Sequence, residues 1–110
     1  MATYMIQVSY TNAAVAALIA NPQDRTDVIR KAIESVGGKM HNIYLAFGDY
    51  DVVGMFDAPD NISAVAFAAA MKAGGACKAI KTTPLLSTSE SLAAQKKAAT
   101  VNYKSVVSKK

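Results

Sequence analysis

The side chains with the most chemistry in this chain crowd into one stretch, Lys39–Asp57, KMHNIYLAFGDYDVVGMFD. Asp51 follows a Gly48-Asp49-Tyr50 run, and Tyr44 and Asn42 precede it. A carboxylate beside a phenol in a partly dry enclosure can act as a general base, because desolvation raises its affinity for a proton. The same carboxylate can instead accept hydrogen bonds from neighbouring amides and hold a turn in shape. His41 is the only histidine. It offers a proton shuttle, but no second His or Cys stands at metal-ligand spacing, so no metal site is read and a structural or surface role suits it better. Cys77, the only cysteine, has Ala76 and Ala79 close by and no His at hand, which describes an inert thiol. No G-x-S-x-G elbow is present. Gly37-Gly38 and Gly74-Gly75 do not follow a strand and open a helix, as a phosphate-cradling loop must.

The elements that position these groups begin with two apolar runs around Gly48-Asp49. A two-residue loop with Gly first suits a type II′ hairpin, since Gly takes positive φ without steric cost. The register then pairs Phe47 with Tyr50, Leu45 with Val52, Ile43 with Gly54 and His41 with Phe56 on one apolar face. Met40, Asn42, Tyr44 and Ala46 share the other face with Asp51, Val53, Met55 and Asp57, a mixture of apolar and polar groups. In this register Gly48, Asp49 and Tyr50 are structural turn residues, and His41 lies on the core side, away from Asp51. Asp51 and Tyr44 are the catalytic candidates on the mixed face.

Residues 3–10 alternate in the same way, with Tyr4, Ile6 and Val8 on one side and Met5, Gln7 and Ser9 on the other. Asn42, Gln7, Met5 and Met55 are therefore candidates for ligand binding, because methionines form adaptable apolar pockets. Met5, Met40 and Met55 would serve equally well to fill a subunit interface.

Thr11 or Asn12 can cap an Ala-rich helix to about Ala20, with Val15, Leu18 and Ile19 inward, and Asn21-Pro22 breaks it. Val28, Ile29, Ala32, Ile33 and Val36 form the clearest helical stripe, stopped by Gly37-Gly38. Asp60 or Asn61 caps a third helix, with Ile62, Val65, Phe67 and Met71 as its larger apolar residues. Residues 76–84 form a fourth strand, in which Ile80 favours one face while Cys77 and Ala79 favour the other. Ser87-Thr88-Ser89-Glu90 matches a capping box, so a last helix starts near Thr88 and ends near Lys97.

This order implies an α+β, ferredoxin-like βαββαβ fold: a four-stranded antiparallel sheet with both main helices on one face, plus a C-terminal helix and tail. The mixed face is then left bare within one subunit, and a second copy is the natural cover.

The run IYLAFGDYDVVGMFDAPD, with Gly48-Asp49-Tyr50-Asp51 at its centre, resembles the motif of the bacterial GYD-domain family. The similarity extends from ESVGGKMHNIY to KTTPLLS, over roughly residues 3–95. The resemblance implies a dimeric α+β barrel in which two sheets close through their bare faces. Related barrels include cofactor-free monooxygenases, isomerases and haem-binding proteins. By analogy with the last, His41 becomes a conceivable axial ligand, although fold analogy alone transfers no chemistry.

With 110 residues the chain has room for one core. It reads as a domain over residues 1–97 and a basic extension over 98–110. The net charge of +4 belongs to the end of the chain: five of the 12 basic residues and no acid follow Glu90, leaving seven basic against eight acidic residues up to and including it. No aromatic platform interleaves with those lysines, which argues against a nucleic-acid partner, and no apolar run reaches the roughly 20 residues needed to cross a bilayer. A lone cysteine and the absence of a signal-peptide pattern point to the cytoplasm. No cofactor is implied. The expected function is a homodimeric or larger module that binds a small molecule or serves in assembly. The alternative is a cofactor-free monooxygenase- or isomerase-like enzyme on a small aromatic or carbonyl compound, with Asp51 as base.

Overall fold

Alternation of Tyr4, Ile6 and Val8 with Met5 and Gln7 makes β1 (Ala2–Tyr10) a strand with one fully buried face, and the sheet grows outward from it. In the computed structural model, which describes residues 1–107, the chain continues as α1 (Asn12–Ala20), α2 (Thr26–Ser35), β2 (Lys39–Leu45) and β3 (Val52–Ala58). It then forms α3 (Asn61–Ala73), β4 (Cys77–Leu85) and α4 (Thr88–Ala98). The strands lie in the order β2-β3-β1-β4, with each neighbouring pair antiparallel. This is the ferredoxin-like α+β arrangement expected from the pattern. The edge strand β4 contains Pro84, paired with Tyr4.

Helices α2 and α3 cover one face. The core between them and the sheet holds Tyr4, Ile6, Val8, Val52, Phe56, Ile33 and Phe67, each at most 3% exposed. Phe56 stacks on Tyr4 at 5.5 Å and meets the edge of Phe67 at 5.2 Å. Burying each such side chain stabilises the fold by about 1.5–3 kcal/mol. The Tyr4 hydroxyl donates to Asn61 Oδ1, so its polar end is satisfied at the start of α3.

The α2 stripe packs as expected through Ile29, Ala32, Ile33 and Val36, although Val28 is half-exposed. Gly37, at φ 83°, ends the helix in a Schellman motif: its N–H donates to the Glu34 carbonyl, and the Gly38 N–H donates to that of Ile33. Thr11, Asp60 and Ser87 cap α1, α3 and α4, and Ser87 forms the full capping box with Glu90.

Several expectations about side-chain direction need correction. Helix α1 buries nothing: Val15 and Ile19 are exposed and Leu18 is only partly covered. In α3 the inward residues are Ala64, Phe67 and Met71, while Ile62 and Val65 face outward. In both helices alanine lies on every side, so bulk rather than pattern decides which face the sheet accepts.

The hairpin also differs. Leu45 pairs with Val52 and Ile43 with Gly54 as expected, but an irregularity between Met40 and Asn42 makes Met40, not His41, the partner of Phe56. The extra residue reverses the alternation. Met40 therefore packs against the core, and His41 turns to the bare face. The Asn42 carbonyl lies so close to Gly54 that a Cβ there would approach it to 2.6 Å.

No tight II′ turn forms, because Gly48 does not have positive φ. Residues 46–51 instead make a longer loop closed by Ala46 N–H donating to the Asp51 carbonyl. The Phe47–Tyr50 pair is lost, and Phe47 is fully exposed. A second irregularity, where Ser9 pairs with Ala79 and Tyr10 with Cys77, resolves the conflict in β4: Cys77 and Ile80 both reach the core.

Helix α4 contributes no buried side chain. The radius of gyration is 17.8 Å, against roughly 13 Å for a compact domain of this length, so α4 and residues 99–107 stand off the body. Leu92, Val101 and Tyr103 are exposed there. Of the extension's lysines, Lys109 and Lys110 lie outside the described residues.

Candidate functional site

On the face without helices, strand register brings most of the expected site residues together. Met5 pairs with Met55 across β1 and β3, and Gln7 pairs with Val53. From the other side Asn42 pairs with Met55 and Tyr44 with Val53. The result is one contiguous patch: Met5, Val53 and Met55 form its apolar centre, and Gln7, Asn42 and Tyr44 surround them. Tyr44 is 67% exposed and Met55 37%. Asn42 Oδ1 accepts the Met55 N–H at 3.2 Å, which orients the amide along the patch.

Asp51 stands at the end of this patch and is occupied by backbone. Its Oδ2 accepts the Tyr10 N–H at 2.8 Å, and its own N–H donates to the Val8 carbonyl at 2.7 Å. Ser9, buried, donates its hydroxyl to the Asp49 carbonyl at 2.8 Å. Asp51 and Asp49 thus fasten the loop to β1 just where β1 loses its regular register with β4. A carboxylate accepting an N–H in this way replaces a missing rung of the ladder. Gly48 and Tyr50 lie within the same loop.

At the opposite end, the altered register of β2 builds a cluster that period-two reading misses. His41 Nε2 lies 2.9 Å from Asp57 Oδ1, and Thr3 donates its hydroxyl to the same oxygen at 2.6 Å. The Thr3 hydrogen bond, followed by that from His41, lowers the Asp57 pKa below the ordinary carboxylate value. The carboxylate accepts a hydrogen bond from the ring's Nε2–H, which leaves Nδ1 as the other ring nitrogen.

The sequence model of the GYD domain matches residues 4–94, from the first core tyrosine of β1 into α4. The chain belongs to the GYD-domain family. No curated protein and no solved structure is similar enough to this GYD chain to add a second comparison.

The GYD domain has one further feature that its sequence does not advertise. On the helix side, where the α1–α2 corner pulls away from β2, a half-open cleft of about 460 Å³ remains. Leu18, Ile29, Ile43 and Val52 form its apolar floor, Leu45 lies at its side, and Tyr10, Asp24 and Arg25 reach its mouth. These residues come from five separate segments, so no local motif could have disclosed them. Burial raises the Tyr10 pKa, and the nearby Arg25 charge opposes that shift in part. The Tyr10 hydroxyl is thus a neutral donor and acceptor at physiological pH. Cys77 lies partly buried against the core, and burial raises its pKa as well, away from thiolate reactivity.

Among the described residues, no three His, Cys, Asp or Glu side chains gather to hold a metal ion. Among them, too, no helix is long and apolar enough to cross a membrane.

Proposed function

We propose that this GYD domain is a self-associating module in which the bare faces of two sheets close on each other around a small molecule. The observation that carries this reading is the contiguous Met5–Val53–Met55 patch, uncovered and edged by Gln7, Asn42 and Tyr44. A twofold pairing would bury the patch against its own copy. Methionines adapt to whatever shape is enclosed, and Gln7 and Asn42 supply polar contacts. Native mass spectrometry of the purified protein tests this directly: a dimer or larger oligomer with a bound adduct is expected. Met55→Lys, which places a charge in the patch, should yield monomers that remain folded. A monomeric wild-type protein would overturn the reading.

A cofactor-free enzyme with Asp51 as base and Tyr44 as partner is the second reading. In its favour, only one Asp51 carboxylate oxygen accepts a hydrogen bond among the described residues. Against it, the Tyr10 N–H already holds the group as a fastener. Asp51→Ala separates the two: an unchanged melting temperature supports a base, and a clear fall supports the fastener.

A further inference from the structure

The helix-side cleft opens on the other side of the sheet from the Met5–Val53–Met55 patch, with Tyr44 of β2 bordering both, and its chemistry is different. We infer that it is a separate binding site for a small apolar monocarboxylic acid, aromatic or branched aliphatic, with the carboxylate at Arg25 and the hydrocarbon on the floor.

The cleft's volume of about 460 Å³ falls within the roughly 300–1,000 Å³ common for small-molecule sites. Its floor is made entirely of aliphatic side chains: Leu18, Ile29, Ile43 and Val52, with Leu45 beside them. Leu45 is 81% exposed although it belongs to the sheet, so an occupant would remove apolar surface that the chain alone leaves in water. The mouth selects the head group. Arg25 has no ion-pair partner among the described residues; its guanidinium turns back only to the neutral Gln23 side chain at 2.8 Å. Arg30, by contrast, is paired with Asp27. The Tyr10 hydroxyl, kept protonated by burial, can donate alongside Arg25.

Arg25 also stands at the N-cap of α2 without capping it through its side chain, so the positive end of the helix adds to the same field. Asp24 limits the charge that this mouth accepts. The Thr26 hydroxyl, followed by the Thr26 N–H that donates to Asp24 Oδ1, lowers the Asp24 pKa below its ordinary value and keeps the carboxylate ionised. One negative charge on a ligand is matched by Arg25, whereas a dianion such as a phosphate monoester would meet the Asp24 carboxylate with no second cation among the lining residues to balance it. The planar guanidinium fits a carboxylate through two parallel hydrogen bonds.

Titration of the ¹⁵N-labelled full chain with phenylacetate, phenylacetamide and phenyl phosphate provides the test. Phenylacetate should shift the amides of Leu18, Ile29 and Ile43 saturably, and bind about tenfold more tightly than the neutral amide or the dianion. Arg25→Gln should abolish that preference while leaving the weak phenylacetamide shifts in place, which also reports that the variant is folded. Equal binding of acid and amide would overturn the inference. So would shifts centred on Met5 and Met55, or the lack of any saturable response to phenylacetate. Because no readout depends on oligomer mass, a monomeric protein would leave this test intact while defeating the face-to-face reading.

Discussion

The two faces of the sheet are built from the same strands, residue by residue in alternation, yet they have opposite fates. On β3, Phe56 is wholly buried while Met55, its neighbour, is 37% exposed. On β1, Tyr4 and Ile6 disappear under the helices, while Met5 and Gln7 remain partly open. The covered face is aromatic and β-branched, with defined rotamers and ring contacts. The bare face uses methionine and amides, which suit a surface that must fit a second shape. On the reading proposed above, the difference teaches that the bare face is composed for a contact that one chain does not supply.

The largest expected effect comes from exchanging these neighbours. Phe56→Ala should cost about 3–5 kcal/mol, since it leaves a cavity between Tyr4 and Phe67. Met55→Ala at low protein concentration should stay within about 0.5 kcal/mol of wild type. Urea unfolding measures both, and similar losses would erase the distinction between the faces.

Next in size is Asp51→Ala, which removes a charge-assisted hydrogen bond and leaves the Tyr10 N–H without its partner. A loss of about 2 kcal/mol is expected by calorimetry, with Asp51→Asn less costly because its amide oxygen can still accept. An unchanged melting temperature would free Asp51 for a chemical role at the end of the bare patch.

A smaller effect concerns pH and the cluster at the patch's other end. The folded state holds the Asp57 pKa below its unfolded value, so the Asp57 contacts contribute fully above the ordinary carboxylate range. As pH falls below roughly 4, the unfolded chain takes up that proton first, and the contribution is lost as pH passes through the folded pKa. The stability difference between wild type and Asp57→Asn should therefore shrink between pH 6 and pH 2. A difference that is constant with pH would remove the ionic character of the Thr3–Asp57–His41 cluster.

The smallest effect lies off the sheet. Ser87→Ala breaks the capping box of α4, so helical circular dichroism should fall slightly. Because α4 buries nothing in the body, the main unfolding transition should not move.

Much of the architecture could be read from residue types, and the failures share a physical cause. Alternation in β1, the Ile29–Ile33–Val36 stripe, Gly37 and the Ser87–Glu90 box each encode their element locally. The altered registers at His41 and in β4 do not, because one extra residue changes every face on its far side from the hairpin or strand pairing already set, while leaving composition untouched. Asp51 was legible as a special residue but not in its partner, since the partner is a backbone amide 41 positions away. Nothing in the spelling of Val15, Ile19, Ile62 and Val65 marks them as exposed; alanine-rich helices offer the sheet several equivalent faces. The cleft was invisible for a related reason, as it exists only where α1 fails to close over β2.

The outermost strands carry a last consequence. β4 includes Pro84, which has no N–H to offer a newcomer, and the irregular register of β2 at His41 distorts its pairing with β3. Both margins are thereby poor templates for fibril growth by strand addition. Even in a crowded, concentrated solution, neither margin favours open-ended strand addition between copies of this chain.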